Sequence, residues 1–266
     1  MTESSPPCVL IISGNDPSGG AGMAADLQTV TALGAHPAPV ITSLTVQDTR
    51  NAYRVSVADP DLVAAQAKAV LDDLPIRAIK IGLLGDAAVG SAVAEVLAAK
   101  PGIPVVLDPV LVAAGGAALA EQALESVLKE ELFPLATVVT PNALELRRLG
   151  GDGDDRLVLA RRLLTTGCRW VLAKGADEDT QGVDNTLYGP GDFEETFRWR
   201  RLPGQYHGSG CTLASAIAAL LARGMPVLRA VAEAQRFTFE ALSKAFRPGG
   251  GQFIPRRMPW EPGAEA

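Results

Sequence analysis

Short runs of aliphatic residues alternate along the chain with longer runs rich in alanine and leucine. Two of the short runs, Val105-Val106-Leu107 and Val171-Leu172, lack the regular polar position that marks a strand with one solvated face. Such runs are typical of strands covered on both faces, as in a parallel sheet. The alternation therefore predicts an α/β fold, with a mostly parallel central sheet and helices on both faces.

The same pattern gives the extent of each element. It predicts strands over residues 8–13, 38–46, 52–57, 76–81, 104–107, 137–140 and 169–174, then an antiparallel pair over 185–189 and 194–201. It predicts helices over residues 21–33, 60–74, 87–99, 118–132, 143–149, 155–166, 211–223 and 226–246. No linker divides the chain, and Gly249–Gly251 follows the last helix. We expect one domain over residues 1–248 and a loosely structured tail over 249–266.

Composition narrows the class of protein. The chain has 266 residues, of which 47% are hydrophobic, enough for one large α/β domain or two small ones. The net charge of −6 argues against nonspecific binding to nucleic acid or to an anionic membrane. No stretch approaches the ~18 apolar residues of a transmembrane helix, and the N-terminus lacks the features of a signal peptide. The three cysteines fit neither a disulfide framework nor a metal site, so we expect a reducing cytoplasm.

Polar and glycine-rich segments follow the predicted strands at their carboxyl ends. Ligands of such sheets bind outside these ends. The segments are Gly14 to Gly22, Gln47-Asp48-Thr49, Gly82-Leu83-Leu84-Gly85, Asp108-Pro109-Val110, Thr140-Pro141-Asn142 with Glu145 close behind, Lys174-Gly175, and His207 to Thr212. We therefore expect one ligand site at this edge of the sheet, built from residues that are distant in sequence.

The last segment precedes an apolar helix. The backbone N–H groups of Gly208, Ser209, Gly210 and Cys211 have no partner inside that helix, and small residues let a ligand approach them closely. With the helix dipole, they predict a phosphate site. A thiol there is expected to have a lowered pKa, so Cys211 is a candidate base or nucleophile. The alternative is an ordinary helix start with a buried cysteine behind it.

The carboxylates of Asp108 and Glu145, the amide of Asn142 and the ammonium of Lys174 end at the same edge as this helix start. Phosphoryl transfer needs such parts, because the protein mainly positions and neutralises the phosphates. Carboxylates suit Mg²⁺, directly or through water, and lysine suits phosphate oxygens. Each residue also has a simpler explanation. Asn142 could cap the next helix with Glu145 in its first turn, and Lys174 could be a solvated strand end.

Two nucleotide-binding motifs fit poorly. Residues Gly20 to Ala25 match the dinucleotide pattern G-x-G-x-x-A, but they do not follow the strand closely and lack a well-placed acidic residue. The Walker A sequence of P-loop kinases is absent. Both classes are therefore disfavoured.

The ordered set of motifs resembles a known family. Ser13 to Gly22, Thr45 to Thr49, Lys80 to Gly85, Leu107 to Val110, Thr140 to Asn142 and His207 to Thr212 are similar to segments of the bacterial hydroxymethylpyrimidine/phosphomethylpyrimidine kinases of thiamine biosynthesis. The resemblance spans about residues 8–245 and implies a ribokinase-like fold. It implies a homodimer that uses ATP and Mg²⁺ to phosphorylate 4-amino-5-hydroxymethyl-2-methylpyrimidine and then its monophosphate.

The resemblance also implies roles for single residues. It makes Cys211 the base, where most ribokinase-like kinases have an aspartate. It assigns to the pyrimidine pocket Gly14, Ala21, Asp26, Gln47, Leu83 and Val110, and to the nucleotide phosphates and Mg²⁺ Asp108, Glu145 and Lys174, near Asn142. The pocket is expected to take a small pyrimidine, with no nucleic acid or membrane as partner.

Departures from the family pattern leave alternatives open. Asn15 stands where a serine is usual, and Met23-Ala24 replaces a commoner Ile-Gln. These changes affect the expected substrate preference more than the kinase class. A pyridoxal kinase of the same superfamily is the nearest alternative, since pyridoxal also carries a hydroxymethyl group on an aromatic ring. A noncatalytic pyrimidine sensor that keeps the fold is another.

Overall fold

The computed structural model describes residues 5–111 and 118–258. Within them, one sheet has nine strands. The strands are β1 (Cys8–Asn15), β2 (His36–Gln47), β3 (Ala52–Val57), β4 (Ile76–Ile81), β5 (Val105–Leu107), β6 (Val138–Val139), β7 (Trp170–Ala173), β8 (Gly182–Tyr188) and β9 (Glu194–Arg200). The helices are α1 (Gly22–Ala32), α2 (Pro60–Asp73), α3 (Ala87–Ala98), α4 (Ala118–Val127), α5 (Ala143–Gly150), α6 (Arg156–Thr165), α7 (Ser209–Ala222) and α8 (Val227–Ser243).

The sheet has the order β3-β2-β1-β4-β5-β6-β7-β8-β9. The six central strands from β2 to β7 in this order are parallel, and β3, β8 and β9 are antiparallel to their neighbours. The carboxyl ends of the parallel strands therefore meet at one edge, as the sequence predicts. The mostly parallel α/β fold is confirmed.

Apolar side chains fill both faces of the sheet. In β1, Leu10 and Ile12 point into a core formed with α2 to α6, whereas Val9 and Ile11 point into a second core formed with α1, α7 and α8. All four side chains are fully buried. This explains the absence of polar alternation in the strand sequences. None of the helices in the described ranges is long and apolar enough to cross a membrane.

Several element boundaries differ from the sequence prediction, and two of these differences have a clear physical cause. The helix predicted over 118–132 ends at Val127 and continues as a π-helical turn, Leu128–Leu132, and a 3₁₀ turn, Phe133–Leu135. Pro134 has no N–H to continue an α-helical ladder. Strand β8 begins at Gly182 instead of 185, because it pairs with β9 along its whole length. The first residues of β8 are in a strand because they pair with β9, and the apolar pattern of β8 alone does not show where that pairing begins.

Residues 249–258, which belong to the segment expected to form a loosely structured tail, fold back onto the domain. The N–H of Gln252 donates to the carbonyl of Thr49 at 2.8 Å, and Ile254 is only 4% exposed. An apolar side chain that finds a pocket and a backbone that finds carbonyl partners offset the entropy of ordering the segment. The remainder of the predicted tail, residues 259–266, lies outside the described residues.

A fully buried ion pair links three elements beneath the carboxyl edge of the sheet. Lys80 on β4 donates to Asp26 on α1 at 2.6 Å, and neither side chain is exposed to solvent. Ser215 on α7 donates to the other carboxylate oxygen at 2.7 Å. Burial opposes the charge of Lys80, but Asp26 raises the pKa of the ammonium above its ordinary value. The pair therefore fixes α1 and α7 against the sheet.

We expect Lys80→Met to lower the free energy of unfolding by about 3–5 kcal/mol, because it leaves the Asp26 carboxylate buried without a cation. The double variant Lys80→Met/Asp26→Leu should recover most of that loss. Denaturant unfolding measures both. The control is Lys100→Met, which breaks the exposed pair with Asp72 and should cost about 0–1 kcal/mol. A Lys80 variant that is no less stable than the Lys100 variant would contradict this account.

Candidate active site

The N-terminus of α7 separates two cavities at the carboxyl edge of the sheet. The smaller has a volume of about 250 Å³, and Cys211 forms part of its wall. The larger has a volume of about 480 Å³ and includes Ser209, Gly210 and Lys174 in its wall. Gln252 lines both cavities. The first turn of one helix thus faces two separate spaces.

Gly208 allows this helix start to lie against the loop that follows β1. Its φ of +78° is in the left-handed region, and a Cβ there would lie 2.0 Å from the carbonyl oxygen of Gly20. Any larger residue would therefore push α7 away from the loop. No side chain caps the helix, so its first N–H groups remain available for an anion, as the sequence predicts.

Lys174 and Asp108 lie beside the same turn. The Nζ of Lys174 donates to Oδ1 of Asp108 at 2.8 Å, and Thr140 donates to that oxygen at the same distance. A Cβ on Gly210 would lie 3.1 Å from the lysine Nζ and 3.4 Å from Oδ2 of Asp108. Burial opposes ionisation of Asp108, but Lys174 and Lys80 hold the pKa of its carboxyl below the ordinary value. The strand ends therefore deliver a cation and a carboxylate to the helix start.

Glu145 and Asn142 form the cap of α5. The Asn142 side-chain oxygen accepts from the N–H of Glu145, and the Glu145 carboxylate accepts from the N–H of Asn142, both at 2.8 Å. The capping alternative for this pair is therefore confirmed as a structural role. Burial raises the pKa of Glu145 to about 7, against the opposing charge of Lys174 and with help from Asp108. The carboxyl is poised to change its charge near neutral pH.

The smaller cavity collects most of the residues expected at a pyrimidine pocket. Its wall includes Gly14, Ala21, Gln47, Leu83, Val110 and Cys211. Gly14 lies tightly against β2, because a Cβ there would meet the Ser43 hydroxyl at 2.5 Å. The wall therefore combines apolar side chains with the Cys211 thiol and with four primary amides, those of Asn15, Gln47, Asn51 and Gln252.

A histidine holds the Gln47 amide of this pocket. The Nε2 of His207 lies 2.9 Å from the Asp16 carboxylate and 2.7 Å from the Gln47 amide nitrogen. Burial raises the pKa of Asp16, but bonds from His207 and Ser18 bring it below the ordinary value. The Nε2 atom of His207 therefore contacts both groups and links the Gln47 side chain to Asp16.

Two expectations for single residues need correction. The carboxylate of Asp26 is fully buried under the cavity, with both oxygens bonded to Lys80 and Ser215, so it cannot contact a ligand directly. Cys211 does not have a lowered pKa: burial raises the pKa of the thiol to about 11, although Lys80 lowers it. Nearby Asp26 and Asp108 add to the increase. The favourable charges at the helix start are therefore outweighed.

Sequence reasoning missed the roles of Lys80 and Asp16. A lysine within an otherwise apolar strand was a signal, because a buried ammonium needs a carboxylate partner. Asp16 accepts from the N–H groups of Ser18 and Ala21, each at 2.8 Å. Its place ahead of Pro-Ser-Gly-Gly was a signal for such a turn.

The wall of the larger cavity includes an aromatic pair as well as Lys174. Trp199 and Phe239 stack with their ring centroids 5.1 Å apart. The side-chain oxygen of Gln235 accepts from Trp199 at 3.1 Å and from Asn185 at 2.9 Å, which fixes the indole. A planar ring fits against such a wall, and Lys174 suits phosphates.

Comparisons with known proteins agree with this geometry. The phosphomethylpyrimidine kinase family matches residues 16–255. The hydroxymethylpyrimidine/phosphomethylpyrimidine kinase of Streptomyces coelicolor is 42% identical, with 92% of each chain covered. The bifunctional thiamine biosynthesis protein ThiED of Geobacter sulfurreducens is also 42% identical over 91% of this chain. This chain spans 50% of that longer relative.

A solved structure extends the likeness to a kinase with its ligands. The pyridoxal kinase of Staphylococcus aureus, in complex with AMP-PCP and pyridoxal, superposes with a TM-score of 0.85 at 27% identity. The match covers 96% of this chain and 94% of that one. The ribokinase-like α/β fold implied by the motifs is confirmed. With the match over residues 16–255 and relatives at 42% identity, the chain belongs to the phosphomethylpyrimidine kinase family.

Proposed function

We propose that this enzyme transfers the terminal phosphoryl group of ATP to the hydroxymethyl group of 4-amino-5-hydroxymethyl-2-methylpyrimidine, and then to the resulting monophosphate. The observation that carries the proposal is the first turn of α7, which faces one cavity through Cys211 and the other through Ser209 and Gly210. An acceptor on one side and a nucleotide on the other would meet at an anion-binding helix start.

The larger cavity is the proposed nucleotide site. Its volume of about 480 Å³, its aromatic wall and its lysine suit a base at one end and phosphates at the other. The AMP-PCP complex of the Staphylococcus aureus relative supports ATP as the nucleotide. Lys174 would bind phosphate oxygens, and the N–H groups from Gly208 to Cys211 would hold the transferring phosphoryl group.

The residues beside Lys174 fit a magnesium ion that is shared with the nucleotide. Asp108 uses Oδ1 for Lys174 and Thr140, whereas Oδ2 faces Gly210. No cluster of three or more His, Cys, Asp or Glu side chains occurs in the described part of the chain. That is expected of Mg²⁺, which keeps several waters and binds through one or two carboxylates plus phosphates. Asp108 and Glu145 would hold the ion, directly or through water, and the ion would neutralise phosphate charge.

The smaller cavity is the proposed pyrimidine site. An aminopyrimidine edge offers ring-nitrogen acceptors and an amino donor, and the Gln47 amide both donates and accepts. Leu83 and Val110 would supply apolar walls for the ring. The names of the sequence relatives favour the pyrimidine, whereas the Staphylococcus aureus structure with pyridoxal keeps that substrate as a second candidate.

In the first transfer, the hydroxyl oxygen would form a bond to the terminal phosphorus while the bond to the bridging oxygen breaks and ADP leaves. Cys211 lines the acceptor cavity and would take the hydroxyl proton as a thiolate. Its pKa of about 11 leaves the thiol mostly protonated at neutral pH. A late proton transfer tolerates this, because the transition state is loose. In the second transfer, the acceptor oxygen belongs to a phosphate and already carries negative charge.

Product analysis by mass spectrometry tests the function directly. The enzyme with ATP and Mg²⁺ should convert hydroxymethylpyrimidine to its monophosphate and then to its diphosphate, and it should act more slowly on pyridoxal. Gln47→Ala should weaken pyrimidine binding and leave nucleotide binding unchanged in calorimetry. Tight pyrimidine binding without any ATP turnover would instead indicate a sensor, and faster turnover of pyridoxal would indicate a pyridoxal kinase.

Cys211→Ala should slow the first transfer by roughly 10²–10⁴-fold and the second much less, because only the first needs a base. For the native enzyme, kcat/KM of the first transfer should rise about tenfold per pH unit between pH 7 and about 10, as the thiolate fraction grows. Cys211→Asp should flatten that slope, since a carboxylate is ionised throughout the range. Equal losses in both transfers, or a flat native profile, would remove Cys211 as the base.

Glu145 should make stability depend on pH. Its folded pKa of about 7 lies above the ordinary 4.5, so the folded carboxyl keeps a proton that the unfolded one has lost. The free energy of unfolding should therefore fall as the pH rises from about 4.5 to 7. Glu145→Gln removes this loss, and we expect it to be more stable than the native enzyme at pH 8 by roughly 1–3 kcal/mol, with a smaller difference at pH 5.

Denaturant unfolding at the two pH values measures the effect. Exposed Glu130→Gln serves as the control and should change stability equally at both. A Glu145→Gln variant with the same difference at pH 5 and pH 8 would contradict the raised pKa.

We also infer a homodimer in the cytoplasm, where ATP and reduced thiols are available. Strands β2 and β3 expose apolar side chains at this edge of the sheet: Leu44 is 57% and Val46 49% exposed on β2, and Tyr53 is 62% exposed on β3. Exposed apolar patches on sheet edges mark interaction surfaces.

Sedimentation should give a dimer for the native chain and a monomer for Leu44→Asp. The control Leu62→Asp, at an exposed position on α2, should stay dimeric; a native monomer would end this inference.

A further inference from the structure

The C-terminal segment, residues 249–258, delivers an arginine to the base of the active site. The N–H of Gln252 donates to the Thr49 carbonyl, and the N–H of His207 donates to the Phe253 carbonyl, both at 2.8 Å. These bonds attach the segment to Thr49, in the loop between β2 and β3, and to His207, which lies just before α7. They place Arg257 in the interior, where it is only 3% exposed.

Arg257 joins the glycine loop after β1 to the first turn of α7. Its Nε donates to the Thr212 hydroxyl at 2.8 Å, and one terminal nitrogen donates to the Gly20 carbonyl. The same nitrogen lies 3.5 Å from the Gly208 carbonyl. The other terminal nitrogen lies 3.5 Å from the carbonyl of Gly19 and 3.3 Å from the side-chain oxygen of Gln28. One guanidinium therefore contacts two segments. The loop after β1 belongs to the proposed acceptor side of the site, and the first turn of α7 belongs to the proposed phosphate side.

All of these partners are neutral. Across residues 5–111 and 118–258, no carboxylate lies within ion-pair distance of Arg257. Burial lowers the pKa of the guanidinium, and Cys211, Asp26 and Asp16 oppose that shift only through space. A buried cation without a contacting anion costs free energy. A structural cross-link alone does not need that charge, whereas a site for anionic phosphates gains from it.

We propose that Arg257 is a positioning residue for phosphoryl transfer. It fastens the Gly19–Gly20 loop to the N-terminus of α7, so that the pyrimidine cavity and the anion-binding turn keep a fixed separation. Arg257 lines neither cavity, and so it acts through Gly20, Gly208 and Thr212. It also lies beyond residues 16–255, the part of the chain that the family matches. The inference rests on the proposed kinase function.

The geometry requires arginine. Five N–H donors in a planar fork reach carbonyls and a hydroxyl on two segments at once. A lysine offers one nitrogen on a flexible stem and cannot span the same partners. Arg257→Lys keeps the positive charge but cannot contact both segments at once. It therefore separates the contribution of the charge from that of the cross-link.

The experiment compares Arg257→Met, Arg257→Lys and Arg257→Gly with the control Arg236→Met, which breaks only exposed ion pairs to Glu233 and Glu240. We expect Arg257→Met to lower kcat of the first transfer by about 10²-fold, the effect of misplacing a reacting group by about 1 Å. KM for the nucleotide should change little. Arg257→Lys should fall between the native enzyme and Arg257→Met, and millimolar guanidinium should partly restore kcat of Arg257→Gly. The control should match the native enzyme.

Alkylation of Cys211 gives a readout that does not depend on kinase activity. Cys8 and Cys168 are buried, so Cys211 is the thiol that the reagent should reach first. A loosened first turn in Arg257→Met should raise its rate of alkylation, while the control stays at the native rate. Unchanged kcat and alkylation in Arg257→Met would overturn the proposal. So would a loss of kcat that guanidinium does not reverse in folded Arg257→Gly. If the native enzyme phosphorylates no pyrimidine, the proposed function fails, and the alkylation result still decides whether Arg257 holds the turn.

Discussion

The buried pair of Lys80 and Asp26 is the constraint on which the active site depends. An ammonium without access to water can lie inside the sheet only while its carboxylate partner is in place. Ser215 on α7 bonds the same carboxylate, so the helix is fixed in position and in rotation. Cys211 is four residues earlier and therefore lies on the same face of that helix. The pair thus sets where the thiol points, although neither charged group touches a cavity.

Charge around the helix start is closely balanced, and the balance explains the state of the thiol. Lys80 and Lys174 contribute positive charge, while Asp26 and Asp108 contribute negative charge near the same point. Burial then decides the outcome and keeps Cys211 protonated. A neutral thiol does not repel an arriving triphosphate, whereas a permanent thiolate would. On the proposed role of Cys211 as the base, its thiolate must form in the complex, which suits a reaction whose proton leaves late.

The sequence predicted the parts of the site that follow from the ends of strands. Asp108, Lys174 and the turn at Gly208 could be placed together because parallel strands end at one edge. Arg257 could not be found in this way, because no periodic pattern connects it to a loop that is more than two hundred positions earlier. The direction of the pKa shift of Cys211 also required the folded structure. The local sequence shows the helix start, but it does not show the burial that outweighs the effect of that helix start on the thiol. Asn142 and Glu145 show the reverse case, in which a local pattern described the contact fully.

Substrate choice must come from a small part of this arrangement. The fold is shared in outline with a pyridoxal kinase at a TM-score of 0.85, so the fold alone cannot distinguish one aromatic ring from another. On the proposed function, the wall of the smaller cavity makes that choice, and its polar part includes the Gln47 amide. His207 contacts both this amide and Asp16, so the ring links the amide to the loop after β1. A ring edge that carries both an acceptor and a donor is matched best by an amide held in one orientation, since a freely turning one would match either edge equally. The proposed specificity therefore depends on Asp16 in the loop after β1 as well as on Gln47, and both residues lie in the cavity wall.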